Sequence, residues 1–121
     1  MCMVKTIQID NRTIRVAEIK QKYIKNVIDA ARKCSFIDRV VLFGSCIEER
    51  CKDSSDIDIA VFGSQTPYRA LSSKKYESFA RQLYAFDNHV QSYDILYFKT
   101  GSKEDSPIMA DISRGEVLYE R

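Results

Sequence analysis

Two short apolar runs, Val40–Phe43 and Ile57–Phe62, flank a polar stretch, and their arrangement constrains this chain more than any other feature. Each run is too short for an ordinary helix and too apolar for a loop, so each reads as a buried strand. The first ends in Gly44-Ser45; a ten-residue polar loop follows, and Asp56-Ile57-Asp58 opens the second. Side chains alternate along a strand, so Asp56 and Asp58 share one face while Ile57 and Ile59 point into a core. Like charges held that close resist joint ionisation. A divalent cation removes the penalty, and hard oxygen ligands of this kind suit Mg²⁺ or Mn²⁺. The Gly-Ser turn offers backbone N–H groups and a hydroxyl, the parts that hold a phosphate. The stretch therefore implies a metal-bound nucleoside triphosphate.

The totals narrow the setting. A chain of 121 residues is of single-domain size, so 1–121 is expected to form one domain. A net charge of +2 makes no case for a dedicated nucleic-acid surface, which would show a clustered basic face. No run approaches the roughly 20 apolar residues that span a bilayer. Residues 1–10 hold no apolar run fit for a secretory signal. No membrane partner is expected, and a cytoplasmic location is the default. Cys2, Cys34, Cys46 and Cys51 then read as reduced thiols. A zinc site at Cys46 and Cys51 would need further soft ligands, and the single histidine, His89, is far away in sequence. Cys46, beside Ser45, stands as an alternative reactive neighbour of the site.

In chain order, Val4–Ile9 reads as an edge strand and Asp10-Asn11-Arg12 as a turn. Thr13–Val16 either pairs back as a hairpin or begins the first helix. From Ala17 a helical period sets in, with Ile19, Tyr23, Val27 and Ala31 on one stripe and Ile24 and Ile28 beside it. Lys20, Lys22 and Lys25 fall mostly off that stripe and read as a solvated face, with an anion-binding patch as the alternative. The helix is expected to end near Cys34-Ser35. Ser45–Arg50 reads as a short helical turn aimed at the phosphate site. Thr66-Pro67 and Ser106-Pro107 are helix starts, each with a capping hydroxyl and a proline in the first turn. Tyr76, Phe79, Leu83 and Phe86 recur at helical spacing and read as core. Asp87-Asn88 is a stop. Ile108, Met109 and Ile112 supply the last helix's apolar face, Gly115 closes it, and Val117–Tyr119 adds a short strand.

Ser92–Phe98 is a third strand, and Asp94 is an odd residue inside it. Strands spend a central position on a carboxylate when it is exposed or employed. Asp94 is therefore either a solvated edge residue or a third acid beside Asp56 and Asp58.

Gly44-Ser45, the ten-residue spacing, Asp56-x-Asp58 and a later strand acid at Asp94 together resemble the nucleotidyltransferase superfamily that includes DNA polymerase β. The chain's size narrows the likeness to the minimal nucleotidyltransferases, and it is similar to the MNT-type antitoxins that partner HEPN-domain ribonuclease toxins. The resemblance implies an α/β fold: a small mixed β-sheet of about four strands with helices packed mainly on one face. It implies ATP as the donor and a tyrosine hydroxyl of a helical HEPN-type toxin as the acceptor of AMP. Asp56, Asp58 and Asp94 would be the catalytic metal ligands, and Gly44 and Ser45 would hold the β- and γ-phosphates. In that family the loop after Gly-Ser often carries an arginine and a second glycine. Here it reads Cys46-Ile47-Glu48-Glu49-Arg50, leaving Arg50 or Lys52 to replace the positive charge. The competing readings are a contact-only antitoxin, a nucleotidyltransferase for a small molecule or RNA, and an α/β domain whose acids merely cap turns.

Overall fold

The computed structural model describes residues 2–103 and 105–121. Strands β1 (Val4–Ile9) and β2 (Arg12–Ala17) form an antiparallel hairpin, registered from Val4↔Ala17 to Ile9↔Arg12. Asp10 takes a φ of 56° in the connecting turn, a conformation that aspartate tolerates. The hairpin alternative for Thr13–Val16 is thus the observed one. The chain then makes a 3₁₀ turn, Glu18–Lys20, before helix α1 (Gln21–Lys33) begins. This turn corrects the expected helical stripe. Ile19 is 37% exposed, whereas Lys20, read as part of the solvated face, is 1% exposed. A 3₁₀ turn advances three residues per turn rather than 3.6, so a stripe extrapolated backwards from α1 is out of phase there.

Strand β3 (Ile37–Phe43) leads into a 3₁₀ turn at Gly44–Ile47, and β4 (Ile57–Gly63) follows the polar loop. Two short helices come next, α2 (Pro67–Leu71) and α3 (Lys74–Ala85), where the Thr66-Pro67 start had suggested one. Ser73 restarts the helix: its Oγ accepts from the Tyr76 N–H at 3.1 Å. Strand β5 (Tyr93–Lys99), helix α4 (Pro107–Ser113) and strand β6 (Glu116–Glu120) complete the order. Ser106 caps α4 by accepting from the Met109 N–H at 3.3 Å.

The main sheet runs β5-β4-β3-β6. β4 pairs antiparallel with β3 and parallel with β5, so the sheet is mixed. Alternation divides its side chains cleanly. Val40, Leu42, Ile57, Ile59 and Val61 face the larger core, with Tyr23, Ile24, Val27 and Ile28 of α1 and Phe79 and Leu83 of α3. Val41, Phe43, Ala60 and Phe62 face a smaller core closed by Ile112 of α4. Most helical cover is therefore on one face, as the fold class requires. Phe86, grouped with the core by its spacing, is 49% exposed and meets the Tyr23 ring edge-on at 5.7 Å. Among the described residues no helix is long and apolar enough to cross a membrane.

Candidate active site

Three chain segments reach the same end of the sheet: the C-terminus of β3 and the N-termini of β4 and β5. Asp58 lies opposite Phe43 across the antiparallel pair and opposite Asp94 across the parallel one. Alternation puts Asp58 and Asp94 on the face of the smaller core, with Ala60, Phe62, Leu96 and Phe98 farther along that face. β5 is an edge strand, so Asp94 is both an exposed edge residue and the register neighbour of Asp58. The edge position is thus observed together with the register pairing to Asp58. Asp56 is exposed and precedes β4, while Asp58 is half-buried.

The electrostatics record this crowding. Burial, then the Asp94 carboxylate, then that of Asp56 push the Asp58 carboxyl up to about 6, and the Arg50 guanidinium partly opposes them. Among the described residues, no group of three His, Cys, Asp or Glu side chains is drawn together closely enough to hold a metal ion. The acids are neighbours by register rather than a closed cage. In chemistry they fit a divalent cation: all are oxygen donors, they repel one another, and the innermost favours its proton until a counter-charge arrives.

Gly44 abuts the innermost acid. It takes a φ of +75°, and a β-carbon placed on it would overlap Asp58 Oδ2 and stand 3.2 Å from Asp58 Cγ. Only glycine gives both that backbone shape and that approach. Ser45 is half-buried at the start of the 3₁₀ turn, and among the described residues no side chain caps that turn. Arg50 is exposed and ion-paired with Glu48, so the positive charge that bears on Asp58 is itself partly answered. Lys52 is exposed, and its backbone N–H donates to Ser55 Oγ at 2.9 Å. Of these two cations, Arg50 is the one whose charge reaches Asp58.

Cys46 is fully buried, and its thiol donates to the Asp56 carbonyl at 3.3 Å. Burial pushes the thiol up to about 12, the opposite of a reactive cysteine. Its place beside Ser45 is explained by packing: it ties the Gly-Ser turn to the segment that enters β4. All four cysteines are free. Sequence reasoning missed one further residue. Lys20 donates to the carbonyls of Asp53 and Ser55, inside the loop that leads to Asp56. No sequence signal singled it out from Lys22 and Lys25, which are both exposed.

The profile of the family described as polymerase beta, nucleotidyltransferase matches residues 25–121, a span that runs from mid-α1 through β6 and includes every acid of the site. None of the curated proteins compared matches the chain.

Proposed function

Because the chain belongs to the polymerase beta nucleotidyltransferase family, we propose that it is a metal-dependent transferase that moves AMP from ATP to a tyrosine hydroxyl of a helical HEPN-type ribonuclease toxin, and so acts as an antitoxin. The observation that carries the transferase reading is the in-register pair Asp58 and Asp94, with Gly44 pressed against the first. The antitoxin reading draws on the likeness of the Gly44-Ser45, Asp56-x-Asp58 and Asp94 pattern to the MNT-type proteins.

In the proposed reaction the acceptor oxygen attacks the α-phosphorus. An O–P bond forms, the bond from that phosphorus to the bridging oxygen breaks, and pyrophosphate leaves with the electron pair. Asp94 is exposed at the sheet edge, within reach of a side chain on another protein, and accepts the hydroxyl proton. Gly44 and Ser45 bind the β- and γ-phosphates through N–H groups and the hydroxyl. Arg50 adds positive charge on the side of Asp58. A divalent cation, Mg²⁺ or Mn²⁺, bound by Asp56, Asp58 and Asp94 would neutralise their repulsion and offset the charge of the triphosphate. Positioning and charge stabilisation then suffice, without a covalent intermediate.

The test incubates the chain with α-labelled ATP, Mg²⁺ and a helical HEPN-type toxin. Label on the toxin and a mass gain of AMP units are expected, both lost in the Asp56→Asn/Asp58→Asn double variant. Transfer retained by that variant, or a toxin left unmodified but still neutralised, overturns the proposal. The second outcome would establish neutralisation by contact alone. That reading is favoured by the Arg50–Glu48 pairing and by acids not gathered into a three-ligand group among the described residues.

A further inference from the structure

We infer that Lys20 is a positioning residue of this site: its buried ammonium sets the spacing between the segment carrying Asp56 and Asp58 and the segment carrying Asp94. The inference rests on the nucleotidyl-transfer reading above.

An ammonium has three donors, and all three of Lys20's are used. They go to Asp53 O at 3.0 Å, Ser55 O at 2.8 Å and Gln91 Oε1 at 2.6 Å. All three acceptors are uncharged. Burying a cation against uncharged partners is costly, and a methionine of similar length would avoid that cost only by leaving the three acceptors without their donor. The position of the charge therefore calls for an explanation beyond packing.

The explanation lies in what the three bonds join. Asp53 and Ser55 belong to the polar loop before β4, and Gln91 precedes β5. Gln91 completes the link: its Nε2 donates to Ser55 O at 3.0 Å and to Ser92 O at 2.7 Å. Ser92 O also accepts from the Ile57 N–H at 3.0 Å. Asp56 is thus clamped between Ser55 and Ile57, and Asp94 stands two residues beyond Ser92. The knot is anchored to α1 a second time. Tyr23 OH donates to Asp87 Oδ2 at 2.8 Å, and Asp87 accepts from the Gln91 N–H at 3.1 Å. Lys20 touches none of the acids; it acts on them through the backbone. Loss of a hydrogen-bond partner of a metal ligand lowers metal affinity or activity by about 10- to 100-fold in other sites, and Lys20 acts one backbone step further out.

The test compares wild type with Lys20→Met, which keeps length and apolar bulk but removes the three donors. Hydrogen exchange on the metal-free proteins reads the knot directly, at the Ile57 and Gln91 amides. Mn²⁺ binding, followed by electron paramagnetic resonance, reads the site without turnover. Transfer at varied Mg²⁺ and ATP separates the metal requirement from ATP binding. Expected in Lys20→Met are lost protection at Ile57 and Mn²⁺ affinity weaker by about 10- to 100-fold. The half-saturating Mg²⁺ should rise by a similar factor, with a smaller change in KM for ATP. A folded Lys20→Met with wild-type exchange, or with wild-type Mn²⁺ affinity, overturns the inference. If that variant does not fold, Gln91→Met carries the same measurements, because it cuts the link to β5 and leaves the ammonium two carbonyls. A wild type that transfers nothing, yet binds Mn²⁺ in a way weakened by Lys20→Met, sinks the transfer reading and keeps the inference. A wild type that binds no Mn²⁺ overturns both.

Discussion

Gly44 and Asp58 are packed so closely that residue 44 has no room for a side chain: a β-carbon there would overlap the Asp58 carboxylate. The φ of +75° adds a backbone penalty for any other residue. Gly44→Ala should therefore cost about 1–3 kcal/mol of stability, read by thermal denaturation. It should also abolish transfer, because relief of the overlap displaces the innermost acid. A variant that keeps wild-type transfer would show that the turn and the carboxylate do not act together.

Asp58 sets a pH dependence with a definite sign. In the folded chain its carboxyl titrates at about 6, above its ordinary value of 3.8. Between those values the unfolded chain has released a proton that the folded chain still binds. Stability from this group is full below the ordinary value and is lost as pH rises through about 6. Metal-free Asp58→Asn should melt above wild type near about pH 8 and converge with it at about pH 3.5. Mg²⁺ should move the Asp58 titration, followed by carboxyl NMR, to lower pH. An unmoved titration counts against metal binding at Asp58.

Asp94→Asn separates geometry from charge. Asp94 is exposed, so loss of its own contacts should change stability by no more than about 0.5 kcal/mol, and any further gain near neutral pH should track the fall at Asp58. The Asp58 carboxyl should fall towards the usual range, because its strongest like-charge neighbour is gone. Transfer should drop by about 10²- to 10⁴-fold if Asp94 accepts the proton. An Asp58 titration unchanged in this variant would contradict the register pairing of β4 and β5.

Arg50 and Lys52 should behave differently. Arg50→Ala removes a cation that opposes the rise at Asp58, so that carboxyl should move further up. Calorimetry with ATP and Mg²⁺ should show weaker binding. Lys52→Ala should leave both unchanged, since its described link is a backbone bond to Ser55. Equal losses in the two variants would mean that net charge, rather than placement, governs affinity.

Leu83 is fully buried in the larger core between α3 and the sheet. Leu83→Ala should lower stability by about 2–5 kcal/mol, seen as a reduced denaturant midpoint. ATP affinity should be unchanged where the variant is folded, because the site stands on the opposite face.

Much of this was legible in the chain itself. The apolar runs, the Gly-Ser pair and the alternation of Asp56-Ile57-Asp58 are local patterns, and local sterics and pleating enforce them wherever the strand lies. The caps at Thr66 and Ser106 were legible for the same reason. Lys20 was not. Its burial depends on a 3₁₀ turn fed by the hairpin, on a loop 33 residues away and on Gln91 farther still. Phe86 failed in the other direction, since spacing cannot say where the sheet beneath a helix ends.

The sequence by itself determined which residues are candidates for a phosphate and metal site, because residue chemistry and a period of two are local properties. Only the tertiary structure decided that β5 lies parallel to β4 with Asp94 opposite Asp58, that Asp58 is the innermost acid, and that a buried lysine joins the two segments. Strand pairing and burial arise from contacts between distant segments, and no single stretch of chain carries that information.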